Sequence, residues 1–133
     1  MKRLVLGILY IAISFLLISC AASPYVGLRD ANRKNIQNVH LGDSSSSVVG
    51  KMGEASTSGM SGTVTNPYKK EAVQLAGVDH VIWYYYTEQI GYKSWEEGMT
   101  PIVFVNDKVI AIGWRALERL GIGSDSTFTV MRR

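Results

Sequence analysis

The chain has 133 residues, with 14 Lys and Arg against 11 Asp and Glu and a formal net charge of +3. This length supports one small domain and not two. The single cysteine excludes an internal disulfide framework, and the even mixture of charges from Pro67 onward excludes a basic patch for nucleic acid.

The first twenty residues have the pattern of a secretory signal. Two basic residues precede an apolar run over residues 4–18, and the small Ser19 comes directly before Cys20. The stretch Leu17-Ile18-Ser19-Cys20 resembles the lipobox of bacterial lipoproteins. This resemblance implies cleavage between Ser19 and Cys20 and lipidation of Cys20 by fatty acids such as palmitate. Several acyl chains would hold the protein stably at a membrane.

An uncleaved membrane anchor over residues 4–22 is the alternative interpretation, because that uncharged run is just long enough to span a thin bilayer. Either interpretation tethers the domain to a membrane on the side away from the cytoplasm. Ala21 after the cysteine resembles the sorting pattern of lipoproteins in the outer membrane of Gram-negative bacteria. We therefore expect an outer-membrane lipoprotein that faces the periplasm.

Three segments are predicted: a signal peptide over 1–19, a lipidated tether over 20–28, and one domain over 29–133. The tether contains Pro24 and shows no periodicity. The domain opens with an amphipathic pattern over 29–39, which predicts a short helix.

Residues 43–53 carry the clearest helical start and stop signals. Asp43 or Ser44 can cap the helix, Gly53 can end it, and Val48 and Met52 share one face. Because four consecutive serines form a helix poorly, we expect this helix to form by docking Val48 and Met52 on a sheet.

Residues 55–66 consist mainly of glycine, serine and threonine without charge, which predicts a long mobile loop. A segment that becomes ordered on a partner is the alternative. Gly59-Met60-Ser61-Gly62 lacks the lysine of a phosphate-binding loop.

The second half of the chain alternates between strand patterns and turn residues. The aromatic and β-branched run 81–87 predicts the central strand. We expect further strands over 68–75, 100–105, 108–114 and, in the tail, 127–131, with turns over 76–79 and 106–107 and a short helix over 115–120.

Two sets of residues resemble known lipoproteins. The first resembles the helix signature of the SmpA/OmlA lipoproteins, a family that includes a small lipoprotein of the outer-membrane barrel-assembly machine: Gly42-Asp43-Ser44, Val48, Met52 and Gly53. The second resembles an uncharacterised lipoprotein family of the same architecture: Asn66-Pro67-Tyr68, the run 83–87, the run 100–104 and Gly113-Trp114. The resemblance implies an α+β domain, with two short N-terminal helices packed on a three- or four-stranded antiparallel sheet and a short C-terminal helix.

Residues that could support catalysis or metal binding are sparse. His40 and His80 have no second ligand at a metal-binding spacing. Glu96-Glu97 is expected to be a solvated turn, and Ser44 to Ser47 lack the Gly-x-Ser-x-Gly motif of a nucleophile. The sequence therefore predicts no enzyme, no cofactor and no metal.

Alternation along the central strand places Trp83 and Tyr85 on one face and Tyr84 and Tyr86 on the other. We expect Trp83 and Tyr85 to pack under the helices. All four rings could be structural, or Tyr84 and Tyr86 could form an exposed patch for a partner together with Tyr92, Trp95 and Trp114.

The sequence thus predicts a lipid-anchored envelope protein that makes protein–protein contacts, with a role in outer-membrane assembly or maintenance. A module that binds a peptidoglycan or lipid fragment through the aromatic patch is the alternative.

Overall fold

The computed structural model describes residues 23–59, 62–88 and 98–122. These residues form an α+β structure of three α-helices, a two-stranded sheet and a four-stranded sheet, both antiparallel. The helices are α1 (Pro24–Asn35), α2 (Ser45–Met52) and α3 (Trp114–Arg119), with a 3-10 turn at Ile36–Asn38. The strands are β1 (Ser56–Gly59), β2 (Gly62–Thr65), β3 (Lys69–Leu75), β4 (Val78–Tyr86), β5 (Met99–Val105) and β6 (Lys108–Ile112). The predicted signal peptide, Ser19, Cys20, Tyr92, Trp95, Glu96-Glu97 and the tail strand lie outside the described residues.

Helix α1 begins five residues before its predicted start and takes in residues 24–28 of the expected tether. Pro24 opens the helix, because proline has the right φ and lacks only an N–H that would be unpaired at the first position. Leu28 and Asn32 lie one turn apart and are both buried. Interpreting Pro24 as a mark of irregular chain was therefore wrong.

Helix α2 confirms the prediction for residues 43–53. The Ser44 hydroxyl accepts a hydrogen bond from the Ser47 N–H at 3.2 Å, and Gly53 ends the helix with a φ of 76°. Val48 and Met52 are buried against the sheet, as expected. Packing therefore stabilises a helix whose serine-rich sequence is a weak helix former.

The predicted loop over 55–66 contains a β-hairpin instead. Strand β1 pairs with β2 through a register that runs from Ser56 and Thr65 to Gly59 and Gly62. Val64 of β2 turns its side chain away from solvent and is buried in a hydrophobic core of the larger sheet. The Tyr25 hydroxyl on α1 donates to the Gly62 carbonyl at 2.6 Å. Tertiary contact with α1 thus orders a sequence whose composition alone is typical of a loop.

The four-stranded sheet has the order β3-β4-β5-β6, with β4 in its interior as predicted. Ala76-Gly77 connects β3 to β4, and Asn106-Asp107 connects β5 to β6. All four of these turn residues have positive φ, the conformation of two-residue hairpin turns that match the twist of the strands. Both predicted strand pairings are therefore confirmed.

Each face of this sheet carries its own hydrophobic core. The α2 core contains these buried residues: Val39, Val48, Met52, Trp83, Tyr85, Ile102, Phe104 and Val109. The α1 core, on the other face, contains these: Leu28, Val64, Ile82, Tyr84, Tyr86, Met99, Val103, Ala111, Leu117 and Ile122. The predicted alternation is confirmed, with Trp83 and Tyr85 under a helix.

Of the two interpretations of the aromatic run, all four rings are buried as structural residues, and the exposed patch of Tyr84 and Tyr86 is wrong. Their side chains are only 8% and 5% exposed, because α1, the hairpin and α3 cover the face on which they lie. The sequence prediction assigned both N-terminal helices to one face. The structure divides the helices between the two faces, and this division buries the second pair of tyrosines.

Candidate functional site

Helix α2 covers only part of its face of the sheet, and the remainder forms an open groove of about 320 Å³. The groove lies over the start of β4, beside the β5–β6 turn and the first turn of α2. It is lined by Ser45, Asp79, Val81, Trp83, Phe104, Asn106 and Asp107. Alternation along β4 brings Asp79, Val81 and Trp83 to this one face.

The floor of the groove is aromatic and apolar. The Trp83 and Phe104 ring centroids lie 4.7 Å apart at an interplanar angle of 50°, a tilted contact. Val81 remains 37% exposed beside them. The Lys70 ammonium lies 4.1 Å from the Trp83 ring centroid, within the range of a cation–π interaction. An apolar floor therefore meets a cation at the side nearest β3.

Two carboxylates on the rim are tied to neighbouring groups. Asp107 accepts a hydrogen bond from the Ser45 N–H at 3.2 Å, and Asp79 accepts one from the Gln74 side-chain amide at 3.1 Å. The Ser45 hydroxyl and backbone N–H hold the pKa of the Asp107 carboxyl below its usual value. Asp107 is therefore a charged group at neutral pH that holds α2 in place, and it is not poised to exchange protons there.

Asp43 anchors the other side of the start of α2. Its carboxylate accepts hydrogen bonds from the Lys51 ammonium at 2.6 Å and from the His40 N–H at 2.7 Å. These two bonds, that to Lys51 first, lower the pKa of Asp43. Asp43 and Asp107 thus place two carboxylates near the positive end of α2, where the helix dipole favours negative charge. The sequence predicted Asp43 as a cap but gave no reason to expect Asp107 beside it.

A buried amide pair joins four segments on the α1 side of the sheet. Asn32 and Asn66 exchange side-chain hydrogen bonds of 2.9 and 2.7 Å. Asn32 also donates to the Tyr86 carbonyl at 2.8 Å, and Asn66 donates to the Met52 carbonyl at 3.2 Å. The pair therefore links α1, the end of α2, the β2–β3 connection and the end of β4. Sequence reasoning missed Asn32, whose one available signal is its position one turn after Leu28.

Of the predicted aromatic patch, one ring is exposed among the described residues. Trp114 is 38% exposed, and its indole N–H donates to the Met99 carbonyl at 2.6 Å. Its ring centroid lies 5.9 Å from that of Tyr84, whose hydroxyl donates to Glu71 at 2.8 Å. Tyr84 therefore contacts the exposed ring but is itself covered, and it does not extend the patch to the surface.

The two histidines, which the sequence gave no reason to treat as metal ligands, differ in burial. His40 is exposed, whereas His80 is buried with its Nδ1 atom 3.0 Å from the Val78 carbonyl. No group of three or more His, Cys, Asp or Glu side chains able to hold a metal occurs in the described parts of the chain. Within those same parts, no helix has the length and apolar character needed to cross a membrane.

Comparisons with protein-family models, with curated proteins and with solved structures found no match.

Proposed function

We propose that this protein is a lipid-anchored, non-enzymatic envelope protein whose α+β domain binds another envelope protein, in outer-membrane assembly or maintenance. The anchor in this proposal is Cys20, in the lipobox-like stretch 17–20. A distant relationship to the SmpA/OmlA lipoproteins is part of the same proposal. The capped α2 helix, packed through Val48 and Met52 on an antiparallel sheet, supports that relationship.

The observation that carries the binding role is the open groove beside α2. Trp83 and Phe104 form an aromatic floor, and Val81 is an exposed apolar residue in the middle of a strand. Apolar and aromatic side chains in a depression are the usual anchor points of protein interfaces. The two carboxylates on the rim, Asp79 and Asp107, already accept structural hydrogen bonds, which favours a binding surface over a catalytic one.

The anchor is tested by metabolic labelling with a fatty-acid probe. The unsubstituted chain should become labelled and lose residues 1–19, whereas Cys20→Ala should remain an unlabelled precursor, because the thiol is the atom that forms the thioether. Equal labelling of both proteins would contradict a lipid anchor at Cys20.

The groove is tested with two matched substitutions in the full chain. Val81→Glu places a charge in the groove, and Ile110→Glu places the same charge on the edge strand β6. Both side chains are 37% exposed, so the two substitutions should cost similar stability. After crosslinking in intact envelopes and purification, Val81→Glu should lose a stoichiometric partner that Ile110→Glu retains. Loss in both variants, or in neither, would contradict the groove as the binding site.

A second candidate is binding of a peptidoglycan or lipid fragment. The Trp83–Phe104 contact favours it, because aromatic faces bordered by hydrogen-bonding groups also suit sugar rings and headgroups. Retention of the purified full chain on cell-wall material, lost in Val81→Glu and kept in Ile110→Glu, would favour this candidate. Recovery of a protein partner in stoichiometric amount would favour the first candidate, a protein-binding role.

A further inference from the structure

The two edges of the four-stranded sheet differ in how their backbone groups are used. On β6, Val109 accepts a hydrogen bond from the Gly42 N–H at 2.8 Å and donates to the Asp43 carbonyl at 2.9 Å, so the segment before α2 closes that edge. On the other side β3 pairs with β4, and no strand lies beyond β3 among the residues that the structure describes. The edge of β3 is therefore the one at which a further strand could be added.

The turn at Ala76-Gly77 determines which β3 groups point outward. In a two-residue turn the flanking residues, here Leu75 and Val78, form a hydrogen-bonded pair. Because hydrogen-bonded and non-hydrogen-bonded pairs alternate along an antiparallel ladder, every second residue of β3 directs its N–H and C=O away from β4. These outward residues are Lys70, Ala72 and Gln74.

This edge is complementary to itself. When two copies pair antiparallel with Ala72 opposite Ala72, Lys70 of each copy lies opposite Gln74 of the other, and every outward N–H and C=O of β3 finds a partner. Like charges are not opposed in this register. The neighbouring registers that place Glu71 opposite Glu71, or Lys70 opposite Lys70, shorten the pairing and oppose like charges.

The charges along β3 are compatible with the same register. The structure shows no carboxylate paired with Lys70 in the described part of the chain, where its ammonium lies over Trp83. In the symmetric pair, Lys70 faces Gln74 of the second copy, and Asp79 of that copy lies one strand further on the same face. Lys69 is paired with Glu71 on the opposite face. Among the described residues, both lysines of this edge are thus drawn onto the faces of the sheet, and neither shields its backbone.

We propose that the protein self-associates through β3, with two copies forming one continuous eight-stranded sheet about a twofold axis at Ala72. The two grooves then lie side by side on one face, since residues opposite each other on paired strands point the same way. A paired edge of this length is a small interface, so we expect the association to be favoured where both copies share a membrane. The edge geometry itself does not depend on the proposed partner or anchor.

The test is disulfide crosslinking of the full chain in membranes of the expression host. In a hydrogen-bonded antiparallel pair the two Ala72 Cα atoms would be about 5.5 Å apart, within the range that a disulfide spans. Ala72→Cys should therefore shift most of the protein to twice its mass under mild oxidation, reversibly with reductant. The matched control is Ile110→Cys on the closed edge of β6, which should stay at the monomer mass. The unsubstituted chain, with its own Cys20, gives the baseline.

A charge substitution tests the register. Gln74→Lys in the Ala72→Cys background places Lys opposite Lys70 twice by symmetry, and it should lower the crosslinked fraction severalfold. Ala72→Cys that crosslinks no more than Ile110→Cys would overturn the proposal. So would an adduct of a different mass, which would show that the edge accepts a strand from another protein. Fatty-acid labelling of the same membranes reports separately on the anchor.

Discussion

The two faces of the central sheet are closed in different ways. One eight-residue helix, α2, closes the first face and leaves the groove beside it open. The second face is closed by three elements from distant parts of the chain, namely α1, the β1–β2 hairpin and α3 with the residue Ile122 behind it. The first face therefore retains room for a partner, whereas the second is filled by the chain itself.

Polar contacts follow the same division. Around α2 they lie at the surface, where Asp43 and Asp107 hold the start of the helix. On the second face the main polar contact is buried, because Asn32 and Asn66 bond each other beneath α1. A buried amide pair gives the second face a specific arrangement that hydrophobic contact alone would not fix. The polar contacts of the open face thus involve carboxylates at the surface, whereas those of the closed face include a neutral buried pair.

The largest expected effect would show whether both faces are core. Tyr85→Ala and Tyr86→Ala should each lower the free energy of unfolding by about 3–5 kcal/mol. The first removes a buried ring from the α2 core, and the second removes one from the α1 core on the other face. Urea midpoints of the full chain measure this cost. Leu41→Ala is the control, since this exposed leucine should change stability by less than about 0.5 kcal/mol. A Tyr86→Ala variant as stable as the control would contradict the burial of this ring and favour the exposed patch that the sequence left open.

Next in size is the contribution of the two covering helices. Met52→Ala on α2 and Leu28→Ala on α1 should each cost about 2–5 kcal/mol, because both side chains are buried against the sheet. Thermal melts of the two variants, with the exposed Glu54→Ala as control, compare the faces directly. A large loss from Met52→Ala with none from Leu28→Ala would mean that α1 does not close the second face.

A smaller effect is expected from the buried amide pair. Asn32→Ala should cost about 1–3 kcal/mol, because the buried side-chain oxygen of Asn66 loses the hydrogen bond that Asn32 donates to it. The exposed Asn38→Ala is the matched control. Asn66→Ala added to Asn32→Ala should cost less than Asn66→Ala alone, as measured in a double-mutant cycle. Strict additivity of the two substitutions would contradict a coupled pair.

The open face was predictable because its signals are local. The cap at Ser44, the stripe of Val48 and Met52, and the turn at Asn106-Asp107 each lie within a few residues of the structure they specify. Period two along β4 also predicted that Trp83 and Tyr85 would share one face, and both lie in the α2 core. The groove itself was not predictable, because it depends on where a short helix stops covering the sheet.

The closed face was predicted poorly because its partners are far apart in sequence. The hairpin contains small polar residues that resemble a loop until Val64 and the Tyr25 contact with Gly62 are known. Apart from its position one turn after Leu28, nothing local distinguishes Asn32 from a surface asparagine in a helix. Contacts of this kind depend on tertiary packing, which overrides composition and propensity.

The smallest expected effect separates charge from hydrogen bonding at the open face. Asp107→Asn keeps a side-chain oxygen that can accept from the Ser45 N–H and removes only the charge. Because the folded pKa of Asp107 lies below its usual 3.8, its ionised form stabilises the fold above that pH, and this contribution is lost as the pH falls through the folded pKa. The unsubstituted chain should therefore be more stable than Asp107→Asn at neutral pH.

The two proteins should become equally stable in acid, where both carry an uncharged group at this position. Asp43 is the same in both and also has a lowered pKa, so the difference between the two urea midpoints isolates Asp107. Measuring that difference from neutral pH down to values below 3.8 gives the profile. A gap that persists unchanged in acid would mean that Asp107 holds α2 by geometry alone. A gap that closes would show that the wall of the groove is held by charge, in contrast to the neutral amide pair on the other face.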